Sequence, residues 1–228
     1  MNLIIKITTL ACAILFSVSC ESSAKKNKKE ANSNVTDQLV KLTHEELQHY
    51  EVAYFASGCF WCVEAIYEDV IGVKEVISGY AGGNEVNPTY EQVGRGLTTH
   101  AEAVKVYYDP KEVAFGTLVK VFFGSHDPTT LNRQGPDHGA QYRSIAFYSN
   151  EGEKKIIEDY IEQLTKDKVY DAPIVTQVEK IEKFYKAEEY HQDYERLNPN
   201  NPYIINISKP RYNRFKAKYP DLLKKGTH

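Results

Sequence analysis

Gly58-Cys59-Phe60-Trp61-Cys62 sets two thiols three residues apart, with a glycine before them and two aromatic rings between. The preceding run Tyr50-Glu51-Val52-Ala53-Tyr54-Phe55 alternates as a strand does. Val63, Ile66, Tyr67 and Val70 then recur at helical spacing. The pair therefore sits at a strand-to-helix turn that Gly58 makes tight, with Cys59 in the first helical turn. Free backbone N–H groups and the positive end of the helix dipole favour a thiolate there. Cys62 lies on the same helical face, within disulfide reach. This spacing predicts that Cys59 reacts first and that Cys62 traps what it becomes.

The other cysteines point the same way. Of four in the chain, Cys12 and Cys20 lie near the N-terminus and none follows Cys62. A secreted domain stapled by disulfides carries more, at longer separations. Cys59 and Cys62 with two of His100, His138 and His191 could make a zinc set, but a structural zinc site pairs two short motifs and only one is present. No metal is expected. A thioredoxin-like disulfide oxidoreductase is the alternative, because Cys-x-x-Cys at a strand–helix junction serves that chemistry too. Such proteins usually place Trp before the first Cys, whereas Trp61 lies between the two.

The elements that must hold these residues follow from periodicity. Strands are expected at 50–56, 73–79, 101–108 and 143–149, with helices at 60–70 and 111–123. Along Ala101 to Tyr108, Glu102, Val104, Val106 and Tyr108 share one face, and Ala101, Ala103, Lys105 and Tyr107 the other. The order β-α-β-β-α-β is the split βαβ pattern. The fold class is α+β: a two-layer sandwich with a ferredoxin-like core, extended by a helix at 151–166 and a strand at 174–181. Residues 198–225 read as a tail wrapped over the surface. The polar, Gly- and Pro-bearing stretches 82–99 and 124–142 are long for loops in a compact domain, which marks them as functional.

Upstream, residues 1–19 read as a signal peptide of the lipoprotein type, with Lys6, an apolar run from Ile7 to Val18 and then Cys20 as the lipidated first residue. The run is too short to be a membrane span. Residues 20–46 are polar enough to stay a disordered tether, and 47–228 form one domain. The expected location is the cell envelope, on the periplasmic side of a bacterial membrane as a lipoprotein, or secreted. Met1 is the only methionine, which suits a chain exposed to oxidants. Net charge is −3 with both signs interspersed, so nothing points to nucleic acid. A monomer is expected.

Gly58-Cys59-Phe60-Trp61, Gly79-Tyr80-Ala81-Gly82-Gly83, Pro88-Thr89-Tyr90-Glu91-Gln92-Val93, His100-Ala101-Glu102-Ala103-Val104 and Gln141-Tyr142-Arg143-Ser144 occur in that order. Through them, from about residue 50 to 215, the chain resembles methionine sulfoxide reductase A. The resemblance implies reduction of the S epimer of methionine sulfoxide, free or in proteins, with no metal or organic cofactor. It makes Cys59 the nucleophile, Phe60 and Trp61 the wall for the substrate methyl, and Glu102 the acid that protonates the sulfoxide oxygen. Tyr90 and Tyr142 become phenols that hydrogen-bond that oxygen, and Asp137 a polar neighbour. Glu102 has to be protonated, which needs an apolar pocket to raise its pKa. Many members resolve with a cysteine in the C-terminal tail, which this chain lacks; Cys62 is expected to resolve instead, with a thioredoxin-like donor completing the cycle.

Overall fold

A computed structural model describes residues 42–226. The signal peptide, Cys20 and most of the tether lie outside the described residues. Thr43 caps helix α1 (His44–Leu47) through a capping box with Glu46, and Leu47 is buried. Helical backbone thus already occurs at His44, inside the stretch read as tether.

The chain continues through β1 (Glu51–Ser57), α2 (Phe60–Glu68), β2 (Val73–Ala81), α3 (Tyr90–Gly94), β3 (Ala101–Tyr108) and α4 (Phe115–Ser125). A short hairpin, β4 (Arg133–Gln134) with β5 (Asp137–His138), leads to β6 (Ser144–Tyr148). Then come α5 (Glu151–Lys166), β7 (Gln177–Lys180), β8 (Phe184–Lys186) and α6 (Tyr194–Leu197). A π-helical turn at Ile204–Ser208 runs into α7 (Lys209–Lys218).

One six-stranded sheet runs in the order β7-β6-β1-β3-β2-β8. Its middle four strands are antiparallel throughout, the arrangement that a split βαβ unit generates. β7 adds parallel to β6, and β8 adds antiparallel to β2. Strand alternation divides the side chains as the sequence suggests. Phe55, Val104, Val106 and Tyr108 enter the large core with Val63, Ile66 and Tyr67 of α2 and Leu118 and Phe122 of α4. Ala56, Ala101, Ala103, Ile145 and Phe147 form a thin second cluster against Tyr54, Ile181 and Phe184. Phe55 is the keystone of the thick side: its ring stacks on Tyr67 at 5.2 Å and on Phe122 at 5.3 Å. Truncating such a residue to Ala costs about 3–5 kcal/mol.

Four details differ from the sequence reading. α4 begins at Phe115 rather than 111, because Asp109-Pro110 starts a turn in which the N–H groups of Glu112 and Val113 donate to the Asp109 carbonyl. The strand expected at 174–181 pairs only over Gln177–Lys180, and β8 was not foreseen. Both long loops carry structure of their own: α3, held by a Thr89–Gln92 capping box, and the β4–β5 hairpin. Finally, the tail is not merely wrapping. Ile204, Ser208, Arg211, Tyr212 and Phe215 are buried, and their spacing presents one helical face inward.

Candidate active site

At the β1–α2 turn, Gly58 has φ +90°, and a Cβ there would lie 2.6 Å from the Gln134 side chain. Only glycine fits both the conformation and the space. Cys59 follows as the N-cap of α2, one residue earlier than the expected first turn. Both thiols are free and buried; Cys59 is 7% exposed and Cys62 1%.

The first free N–H of α2 does not face a sulfur. Phe60 N–H donates to Glu102 Oε2 at 3.0 Å, inside the core-facing side of β3. Glu102 is 1% exposed. Burial pushes its carboxyl up to about 8, with the Phe60 N–H pulling down and the charges of Asp137 and Cys62 pushing further up. Near neutral pH it is a protonated acid, as the sequence reading requires.

The thiolate is not where the helix start suggested. Burial pushes the Cys59 thiol well up, and its hydrogen bond to Cys62 and the charges of Cys62 and Glu102 add to this. The same hydrogen bond pulls Cys62 down to about 7 against burial, helped by the Arg211 charge and the hydroxyls of Ser208 and Tyr203. Burial thus disfavours a thiolate on Cys59, and Cys62 is the partner whose pKa is pulled down. Burial is the largest cause, and the helix N–H next to Cys59 donates to Glu102 rather than to a sulfur.

Rings pack together beside the Cys59 turn. Phe60 is fully buried, stacked on Tyr90 at 6.2 Å and tilted against His191 at 5.0 Å. Trp61 stacks flat on Tyr194 at 3.8 Å and donates from Nε1 to His191 Nδ1 at 3.1 Å. That bond leaves the neutral imidazole with its proton on Nε2. Burial lowers the His191 pKa, so it stays neutral. His191 therefore holds the aromatic wall rather than ligating or titrating.

The two phenols come from the two long loops. Burial raises both Tyr90, to about 12, and Tyr142, and the charges of Glu102 and Cys59 push each the same way. Tyr90 opens α3, whose first N–H donates to Glu188 Oε1 at 2.9 Å, and Tyr80 Oη holds the other oxygen of that carboxylate at 2.8 Å. Tyr142 precedes Arg143, whose guanidinium donates to the carbonyls of Ala140, Gly82 and Thr99 and so fastens one loop to the other.

Of the expected catalytic and substrate-binding residues, Cys62, Glu102, Tyr90 and Tyr142 lie within electrostatic reach of Cys59, and Phe60 and Trp61 follow it on α2. Asp137 stands beside them, on the side of Cys62, accepting a short hydrogen bond from Tyr203. Tyr203 Oη in turn lies 3.9 Å from Cys62 Sγ. Tyr203 and Arg211 were missed by the sequence reading. The signal was there in the inward spacing Ile204, Ser208, Arg211, Phe215, but polar residues diluted it.

A close thiol pair beside a neutral carboxylic acid, two phenols and an aromatic wall defines a thiol-based oxidoreductase that handles a small polar group on an apolar stem. Comparison with known proteins sharpens this. Residues 51–222 match the family model described as peptide methionine sulfoxide reductase. Peptide methionine sulfoxide reductase MsrA of Polynucleobacter asymbioticus is 44% identical over 182 residues, covering 80% of this chain and 96% of that protein. MsrA 1 of Rhodopirellula baltica is 50% identical over 174 residues, covering 76% and 90%. Among solved structures, reduced Mxr1 of Saccharomyces cerevisiae superposes with TM-score 0.61 at 36% identity, covering 66% of this chain and 87% of that one. Methionine sulfoxide reductase A of Corynebacterium diphtheriae gives 0.59 at 35% identity, covering 65% and 75%. The chain belongs to the peptide methionine sulfoxide reductase family, in its MsrA branch.

Proposed function

We propose that this chain reduces the S epimer of methionine sulfoxide, free or in proteins, through a sulfenic acid on Cys59 that Cys62 resolves. The observation that carries this reading is Glu102: a buried carboxylic acid, protonated at neutral pH, held by the N–H of the residue next to Cys59. The sulfoxide oxygen is a weak base on a polarised S–O bond. Glu102 gives it a proton while Tyr90 and Tyr142 hydrogen-bond it, as donors do in an oxyanion hole. Cys59 attacks the sulfoxide sulfur as it gives up its thiol proton, which replaces the one Glu102 gave. The S–O bond to the methionine sulfur then breaks as the oxygen passes to the Cys59 sulfur, methionine leaves with the electron pair that held it, and Cys59 is left as S–OH. Attack by Cys62 on that sulfur forms the Cys59–Cys62 bond, and the oxygen departs as water. A thioredoxin-like dithiol then supplies two electrons and returns both thiols.

A plain disulfide oxidoreductase has no use for Glu102, Tyr90 or Tyr142 around its first thiol, which weighs against that alternative. The deciding experiment is an assay on separated R and S sulfoxides with wild type and Cys59→Ser. Turnover of the S form by wild type alone is expected; equal use of both epimers, or activity without Cys59, overturns the reading.

Export belongs to the same proposal. With Cys20 lipidated, the domain works as an envelope lipoprotein, and its donor is an envelope thioredoxin-like protein rather than a cytoplasmic one. Mass spectrometry of the mature N-terminus tests this: a diacylated Cys20 is expected, and an unprocessed Met1 refutes it.

A further inference from the structure

Arg211 is a buried cation that makes no ion pair among the described residues. Its Nε donates to the Ser125 carbonyl at 2.7 Å and one terminal nitrogen to Ser57 Oγ at 3.3 Å, both neutral acceptors. Burying a charge without an anion is costly, so the nearest anion decides what this residue is for. Arg211 and Cys62 line the same cavity of about 150 Å³, together with Asp137 and Tyr203.

The groups facing Cys62 come from five places. Cys59 faces it from the turn, Glu102 from β3, Asp137 from β5, Tyr203 and Ser208 from the tail, and Arg211 from α7. Glu102 is neutral near pH 7, and Asp137, which accepts from Tyr203, shares the Arg211 charge with Cys62. His126, which feels the same Arg211 charge, is pushed down to about 3 by burial and by Arg211 itself. Arg214 lies at the exposed rim of the cavity. Arg211 alone offers permanent positive charge from inside. Its anchors, Ser57 at the end of β1 and Ser125 at the end of α4, tie that charge to the frame that carries the thiol pair.

We propose that Arg211 is a positioning residue for the recycling half of the reaction, holding Cys62 as the thiolate that resolves Cys59 and as the thiolate that leaves when the donor opens the disulfide. This rests on Cys62 being the resolving thiol. In resolution, the Cys62 sulfur bonds to the Cys59 sulfur, the S–O bond breaks, and hydroxide leaves with a proton as water. In reopening, a donor thiolate bonds to Cys59, the more exposed of the two sulfurs, and Cys62 departs with the electron pair of the S–S bond. The second donor thiol then displaces Cys59 and closes the donor's own disulfide. A leaving thiol of lower pKa departs faster, so one cation serves both steps.

The test compares wild type, Arg211→Lys and Arg211→Gln, each as full chain. Thiolate absorbance is titrated, and two single-turnover rates are read: methionine release and loss of free thiols. Removing one nearby opposite charge moves a pKa by about one to three units. Arg211→Gln is therefore expected to raise the Cys62 titration by at least about one unit and to slow thiol loss at pH 7 about tenfold or more. Methionine release should fall far less, and Arg211→Lys should recover most of the thiol-loss rate. Equal slowing of both rates with no movement of the titration, or failure of Lys to recover what Gln loses, overturns the proposal. Should Arg211→Gln not fold, the pH dependence of Cys62 alkylation in Cys59→Ser decides, with and without Arg211→Lys. A midpoint at or above that of an ordinary thiol, about 8.5, refutes the charge role. If wild type itself loses no thiols after one turnover, it is the Cys62 reading that fails, a result distinct from either.

Discussion

The two sulfurs stand one helical turn apart and live in opposite surroundings. On the Cys59 side are a buried acid, two phenols and a ring wall, and burial there disfavours a thiolate most. On the Cys62 side are a buried guanidinium and two hydroxyls, which favour one. The contrast suits a reaction in which one sulfur waits for an oxidised substrate and the other stores the negative charge. A reactive thiolate left standing at the substrate mouth would meet any oxidant; charge kept deeper, on a residue 1% exposed, does not.

The largest expected effect breaks the pair itself. Cys59→Ser should lose sulfoxide reduction by about 10⁴-fold or more. Cys62→Ser should keep one turnover per chain, seen as one equivalent of methionine, and lose steady-state turnover with a dithiol protein donor. Normal multiple turnover by Cys62→Ser with that donor would erase the contrast.

Next comes Glu102→Gln, expected to lower kcat by about 10²- to 10⁴-fold because proton donation is gone. The pH dependence carries a sign. Glu102 acts as an acid, so the rate governed by it should fall as pH rises through about 8, and the Gln variant should lack that limb. Stability tells the same story in reverse. The folded pKa, about 8, lies above the ordinary value of about 4.3, so the stability this group carries is full below about 4.3 and is lost as pH rises through about 8. Melting temperatures from about pH 5 to 9 should therefore show Glu102→Gln gaining on wild type as pH rises.

How much of this was readable in advance differs between the same two sides. The Cys59 side comes from strands and from loops next to them, where alternation over Ala101–Tyr108 and the Gly58 turn state the geometry directly. The six-element core order was equally open, since each strand had its own period. The Cys62 side was hidden because its partners arrive from far along the chain: Arg211 lies on a helix with more polar than apolar residues. A charged residue on such a helix reads as solvated until the fold shows what lies beneath it. The helix N–H expected to favour a Cys59 thiolate was misread for a related reason. The helix dipole argument is local, and it cannot know that Glu102, far away in sequence, claims the N–H.

A finer cut separates substrate recognition from thiol chemistry. Tyr142→Phe should lower kcat/KM for the sulfoxide by about ten- to a hundredfold, less than a full oxyanion-hole donor because Glu102 and Tyr90 remain. Its reaction with hydrogen peroxide, which oxidises Cys59 without needing the phenol, should hardly change. Comparable loss in both assays would place Tyr142 in the frame and not at the oxygen.

The smallest expected effect tests the fastening of the two loops. The Arg143 guanidinium donates to the carbonyls of Ala140 at 2.9 Å, Gly82 at 2.9 Å and Thr99 at 3.0 Å, and to Gln177 Oε1 at 2.9 Å. Gly82 and Thr99 bound the loop that carries Tyr90, and Ala140 lies in the turn that carries Tyr142. One planar fork thus sets the distance between the two phenols. Lysine keeps the charge, but its single ammonium cannot span four acceptors. Arg143→Lys should cost about 1–3 kcal/mol of stability through unmet carbonyls. It should lower kcat/KM for the sulfoxide only several-fold, about as far as slack between two donors weakens a positioned interaction. Because Cys62 and Arg211 belong to other elements, closure of the Cys59–Cys62 bond after peroxide treatment should keep its rate. If that rate falls in step with sulfoxide reduction, the loops and the thiol pair form one rigid unit, and the division between the two sides of the site is wrong.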